Sequence, residues 1–255
     1  MSGLGALVLN GFRESRRNRV TLVIFLFAFV MIFSATFALE LTVATFDRVM
    51  TDLGLGVMAL ISSFLAIFLA TGLIPREIER RTIFMVVSKP ISRSMFVVGR
   101  FLGNMLTLYA VLAMMAVLFF IQLEFGHASI TRPHVAAIIG LAFELLVISA
   151  FSFLFASMSS QFVASVVSVG LYFLGHLSTD LYQLAERSTN QAMGLFGKAF
   201  YYLLPNLDRL DYRPRATYGE LTAWSEVGMS AAHAIGYSVV MLVVACLLFE
   251  RRDFK

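Results

Sequence analysis

The residues of this chain able to do chemistry are few, and the sequence around them is apolar. Glu144 is an acid placed near the middle of an apolar run, 135–156. A carboxyl group at such a depth is expensive in a bilayer and marks a candidate pathway or proton-carrying residue. Its structural alternative is a protonated side chain hydrogen-bonded to a neighbouring helix, with serines such as Ser149 or Ser152 as the type of partner. Four histidines, His127, His134, His176 and His233, all stand at or beyond the ends of apolar runs. Imidazoles ligate zinc or copper, and the 13 methionines would suit soft copper(I). Histidine also favours interfaces without any metal, so these four are metal candidates only if they converge, and no metal site is assigned.

Other chemistry is absent. There is no G-x-x-x-x-G-K-[ST] phosphate loop, since Gly197-Lys198 lacks the upstream glycine, so this chain does not handle ATP by that route. It contains neither H-E-x-x-H nor G-x-S-x-G, the zinc-protease and serine-hydrolase signatures. No catalytic residue and no bound cofactor follow from the sequence. The apolar runs hold no Lys or Arg in their interiors, which removes the usual basis for voltage sensing.

The densest charge lies in Pro75–Arg100, which holds six of the chain's 20 Lys and Arg residues. Within it Ile78, Ile83, Phe84, Met85, Val86 and Val87 give a short helix too apolar for water, rimmed by Arg76, Glu77, Glu79, Arg80 and Arg81. Such a helix requires a groove on a partner. The alternative is a helix lying on the inner leaflet, but Glu77 and Glu79 are poor ligands for anionic lipid.

These residues need a scaffold, and the composition says which solvent it sits in. The chain has 255 residues, is 59% hydrophobic and only 14% charged, with a mean hydropathy of +0.82. A water-soluble particle of this size carries about a quarter charged residues. The solvent is therefore lipid, and a helix needs about 20 apolar residues to cross it. Six runs qualify, at about 20–39, 53–74, 101–123, 135–156, 162–177 and 233–249. The expectation is an all-α membrane protein, a single transmembrane domain over 1–255 with six transmembrane helices. Residues 1–19 carry Leu4, Leu7, Val8 and Phe12 at helical spacing ahead of four arginines, which fits an interfacial helix. A frayed basic segment is the alternative. The first run is longer than a signal-peptide core and reads as an uncleaved span. Gly99 and Gly103 form a small-xxx-small pair at the third run.

Lys and Arg set the orientation. Counting only short loops and tails, thirteen lie on the side of 1–19, 75–100 and 250–255, against two on the other. Both termini and 75–100 are expected in the cytoplasm, and 178–232 outside, with Leu195–Pro205 able to dip into the outer leaflet and return. The net charge of +4 flanks apolar runs rather than forming a stripe, so no nucleic-acid partner is expected. Membrane lipid is the surrounding medium. Cys246 is the single cysteine, so no intrachain disulfide is possible.

At 75–100 the chain resembles a known family. Glu77-x-Glu79-Arg80-x-Thr82, Ser88-x-Pro90-Ile91-x-Arg93 and Gly99-Arg100-Phe101-Leu102-Gly103 resemble the cytoplasmic loop of ABC-2 type transporter permeases. The tail Phe249-Glu250-Arg251-Arg252-Asp253 and the basic N-terminal segment look like the same family. Leu204-Pro205-Asn206-Leu207, with Asp211 beyond, is similar to the external segment of one branch. That branch includes the permease of the copper-maturation system of nitrous oxide reductase and gliding-motility permeases. The resemblance implies a permease of the inner membrane and a cytoplasmic coupling helix that docks on an ABC ATPase. Glu77, Glu79, Arg80, Arg81, Thr82, Ile83, Phe84, Val87, Ser88, Pro90 and Arg93 would be its coupling residues. ATP and magnesium would sit on the partner, and a second permease, a copy or a paralogue, would complete the unit. Two other classes remain open beside it. One is an ion-coupled secondary transporter using Glu144. The other is a mechanotransmitter that acts on a periplasmic partner without transport.

Overall fold

The computed structural model describes residues 20–40, 46–79, 93–126, 128–187 and 204–250, with isolated positions at 5, 192, 194, 195, 197, 198 and 201. Long helices dominate: α1 (Val20–Glu40), α2 (Phe46–Glu79), α3 (Arg93–Phe125), α4 (Arg132–Met158), α5 (Gln161–His176) and α6 (Ser178–Arg187). A 3-10 turn at Asp208–Leu210 follows, then α7 (Arg213–Tyr218) and α8 (Trp224–Glu250). Lipid cannot satisfy backbone polar groups, so an apolar run of this length must close its hydrogen bonds within itself, and a helix does so.

Among the described residues four helices are long and apolar enough to cross a membrane. They are 47–72 in α2, 94–125 in α3, all of α4 and all of α8. The count becomes five if α5 and α6, bent by 58° at their junction, form one span. A shorter apolar stretch, Leu22–Phe33, lies in α1. The helices outrun the apolar segments that define them. α2 starts at Phe46 and continues through Pro75 to Glu79, rather than ending at the proline. Proline removes one backbone donor, a loss that membrane helices accommodate when neighbouring groups compensate. α8 likewise opens at Trp224, so the beginning of this helix belongs to the segment 178–232.

α4 is the axis of the bundle. It is apolar around its whole circumference, as a helix enclosed by others must be, and most of its residues are buried. α2, α5, α7 and α8 pack around it, while α1 packs on α2 and α3. Phe101 meets Phe153 edge to face at 5.9 Å, and Phe151 stacks on Tyr237 at 5.8 Å. Phe162, Val166 and Phe173 of α5 and Val239, Val240 and Val243 of α8 point outward, as lipid-facing side chains do.

Two polar devices position α4. Its start is capped when the Thr131 N–H donates to His134 Nδ1 at 3.1 Å. That bond makes Nδ1 an acceptor, so the imidazole holds its proton on Nε2 and can donate to Thr51 Oγ1 of α2 at 3.0 Å. At the other end Ser159 donates its N–H and its hydroxyl to the Phe155 carbonyl, closing α4 before the turn into α5.

Candidate functional site

The turn at Ser159-Ser160 makes α4 and α5 an antiparallel hairpin. Glu144 lies 15 residues before Ser159 and His176 lies 16 after Ser160. At 1.5 Å per residue both stand about 23 Å from the turn, at the same height. Glu144 Oε1 and His176 Nε2 are 3.4 Å apart, and Glu144 is 1% exposed.

α5 has only 16 residues and stops beside the middle of α4. The space beyond its end is filled by a strap of irregular chain, Pro205–Arg213, that packs against both helices. Two glycines let its backbone in. A Cβ on Gly140 of α4 would collide with the Leu210 carbonyl and sit 2.7 Å from the Tyr212 ring. One on Gly175 of α5 would meet the Leu207 side chain at 2.8 Å and the Pro205 carbonyl at 3.0 Å. Buried backbone requires partners: the Leu207 N–H donates to the Gly175 carbonyl at 3.2 Å, and Asn206 Oδ1 accepts the Arg209 N–H at 3.2 Å. On the far side Tyr212 donates its hydroxyl to Ser230 Oγ at 2.8 Å, and Ser230 donates to the Arg209 carbonyl at 3.1 Å.

The strap delivers Arg213 to the hairpin. Its guanidinium grips Asp211 with two parallel bonds, Nε to Oδ1 at 2.7 Å and a terminal nitrogen to Oδ2 at 2.8 Å. The same terminal nitrogen stands 3.4 Å from His176 Nε2. Burial alone would lower the proton affinity of Arg213, but the Asp211 hydrogen bonds and the Glu144 charge more than offset it and hold the guanidinium above its ordinary value. On its other edge His176 Nδ1 donates to the Tyr172 carbonyl at 3.1 Å, since a carbonyl can only accept. Ser63 of α2 faces Glu144 and Tyr172. The result is a chain of ionisable groups, Glu144–His176–Arg213–Asp211, running from the core of the bundle to the strap.

Neither Ser149 nor Ser152, the sequence-level partners in type, satisfies Glu144; both hydroxyls are buried without a hydrogen-bond partner of their own among the described residues. Sequence reasoning missed the real partners, although equal height in a tight hairpin was a readable signal for His176. Arg213 carried no such signal, because a long loop hides where it returns. Two further polar contacts tie the helices: Thr71 of α2 to Ser165 of α5 at 2.8 Å, and Gln122 of α3 to the Met31 carbonyl of α1 at 2.6 Å.

Among the described residues the histidines do not come together. His134 is committed to Thr131 and Thr51, His176 to Glu144 and Arg213, and His233 lies tilted against Tyr237 at 6.3 Å. His127 lies outside the described residues. Among the described residues no group of three or more potential ligands could hold a metal ion. Most of the coupling candidates also lie outside them: Arg80, Arg81, Thr82, Ile83, Phe84, Val87, Ser88 and Pro90, with the side chains of Glu77, Glu79 and Arg93, whose backbone lies in the closing turn of α2 and opens α3. The segments 1–4, 6–19 and 251–255 and five residues of Leu195–Pro205 are likewise outside.

The ends of the bundle are defined nonetheless. Ser94, opening α3, donates to Glu250, which ends α8, so the 75–100 stretch and the C-terminal tail leave from the same end. Thr217 of α7 stands 3.5 Å from Asp52 near the start of α2, at the strap end. Long apolar helices, a polar strap at one end and a basic stretch at the other describe a multi-pass membrane protein. None of the curated proteins compared with the chain matches it significantly. The sequence profile of ABC-2 family transporter proteins matches residues 6–254, nearly the whole length. The chain belongs to that family and is an ABC-2 transporter permease, a membrane subunit of a kind that typically leaves catalysis to an ATPase partner.

Proposed function

We propose that this permease is the membrane half of an ATP-driven exporter whose ATPase is a separate cytoplasmic chain. The observation that carries the reading is a family match over 6–254 in a sequence that lacks a phosphate loop. ATP and magnesium then belong to the partner. Six spans result when α1 is counted as the first and α5 with α6 as the fifth, and both termini lie in the cytoplasm. Two permeases, identical or paralogous, and two ATPases form the unit.

The 75–100 stretch is the coupling element, with Ile83, Phe84 and Val87 as apolar anchors and Glu79 and Arg80 on the rim. Closure of the ATPase pair pushes the two coupling helices together, and the spans carry this to a pathway that Glu144 serves. The Ser94–Glu250 contact supports the arrangement, because it joins the start of α3, which follows the coupling stretch in sequence, to the end of α8, which precedes the basic tail. The Leu204–Leu207 motif with Asp211 extends the reading to the branch of nitrous oxide reductase maturation and gliding-motility permeases.

A second reading has an observation of its own. The strap fastens the segment 178–232 to α4, α5 and α8, so bundle movement reaches that segment directly. Force would then pass to a periplasmic partner, with no cargo crossing. Purification of the tagged wild-type permease from native membranes tests the common core of both readings. A phosphate-loop ATPase is expected to co-purify in equal number, and its absence from the purified material overturns them together.

A further inference from the structure

His176 sits between two groups that want opposite things of it. Its Nδ1–H is fixed on the Tyr172 carbonyl at 3.1 Å, so the ring cannot turn to present a different edge without losing that bond. Its Nε2 is then left at 3.4 Å from both the Glu144 carboxylate and the Arg213 guanidinium. With Glu144 ionised, a bare Nε2 can accept only from Arg213, because a carboxylate has no proton to give and a guanidinium can only donate. A protonated Nε2 reverses this. It donates to Glu144 and repels Arg213.

We propose that His176 is a proton-operated selector that seats the strap when its Nε2 is bare and releases it when Nε2 is protonated. The charges make this separation feasible. Arg213 leaves with Asp211, to which it is bonded twice, so the strap departs as a neutral pair. Behind it Glu144 and protonated His176 form a second neutral pair, and no lone charge stays in the core. The titratable and charged groups facing the imidazole are Glu144 from α4, Tyr172 from its own helix, and Asp211 and Arg213 from the strap; α2 sets the Ser63 hydroxyl beside Glu144 and Tyr172.

Leu210 and Tyr212 keep their seat on Gly140 and Tyr212 its bond to Ser230, so release is a loosening of the strap's first half, where Leu207 seats on Gly175, the residue before His176. The released state binds one more proton than the seated state, so by linkage acid favours release and alkali favours seating. The selector concerns this chain alone; its compartment follows from the proposed topology, but its existence does not.

The test uses the full chain in detergent with Cys246→Ala and one new cysteine, Leu207→Cys, at a position 2% exposed in the seated strap. Its rate of modification by a maleimide is divided by that of Leu221→Cys, 86% exposed, to cancel the pH dependence of the thiol itself. From about pH 8 to about pH 5, the interval in which an imidazole changes charge, the ratio is expected to rise about fivefold or more. His176→Gln, whose amide oxygen can hold Arg213 but cannot ionise, is expected to give a low ratio at both pH values. Arg213→Gln, with no key to seat, is expected to give a high ratio at both. A wild-type ratio that does not change with pH overturns the selector. So does a pH response that persists in His176→Gln or, should that variant not fold, in Arg213→Gln. Loss of ATPase co-purification leaves this measurement untouched, so the two readings fail separately.

Discussion

Glu144 Oε1 and His176 Nε2 stand 3.4 Å apart in the bundle core, although 32 positions separate them in the chain. The pair gives the buried Glu144 carboxyl group an ionisable neighbour within reach. Glu144→Gln keeps the shape and a hydrogen-bonding group but removes the charge, so it is expected to assemble normally and to transport poorly. Glu144→Leu leaves His176 and Arg213 facing an apolar side chain and is expected to destabilise the fold by about 3 kcal/mol or more. Size-exclusion profiles after heating and a transport assay distinguish the two. Normal transport by both variants removes Glu144 from the pathway.

The strap's depth depends on the missing side chains of two glycines. Gly140→Ala places a methyl group 2.7 Å from the Tyr212 ring and against the Leu210 carbonyl. Overpacking of this kind costs about 1–3 kcal/mol, and here it would lift the strap from α4. Gly170→Ala, on α5 with open space around it, is expected to be neutral or stabilising by about 0.5–1 kcal/mol, since alanine is the better helix former. Thermal melts of the two variants check this. Equal stability of both would mean that the strap does not need the close approach at Gly140.

Topology has a direct readout. In a chain with Cys246 replaced, Ser188→Cys is expected to react with a membrane-impermeant reagent in intact cells, and Ser92→Cys only after permeabilisation. The thirteen-to-two asymmetry of basic residues underlies this expectation. The reverse labelling pattern contradicts the cytoplasmic placement of 75–100.

Much of the scaffold was legible because lipid leaves few choices. Apolar runs long enough to cross it must be helices, and α2, α3, α4 and α8 lie where the runs are. Helix ends were less legible, since hydropathy marks what lipid covers and not where the backbone stops coiling. Pro75 shows this, lying inside α2. Glu144 stood out by its cost, but its partners did not. His176 reaches it through the geometry of a hairpin, and Arg213 through a loop whose return path no local pattern encodes. The glycines that admit the strap, Gly140 and Gly175, look in sequence like any other small residues of a membrane helix.

The coupling stretch carries the central claim, and one substitution tests it. A buried aromatic anchor in a small interface is worth about 2 kcal/mol or more, whereas an exposed ion pair contributes about 0–1 kcal/mol. ATP hydrolysis by the co-purified complex, measured with and without reconstitution into lipid, is the readout for wild type, Phe84→Ala and Glu79→Ala. Phe84→Ala is expected to insert and fold, to retain less ATPase, and to lose the dependence of hydrolysis on the permease, while Glu79→Ala stays close to wild type. A Phe84→Ala permease that holds a fully coupled ATPase would contradict the account and leave the 75–100 helix as an anchor on the membrane surface.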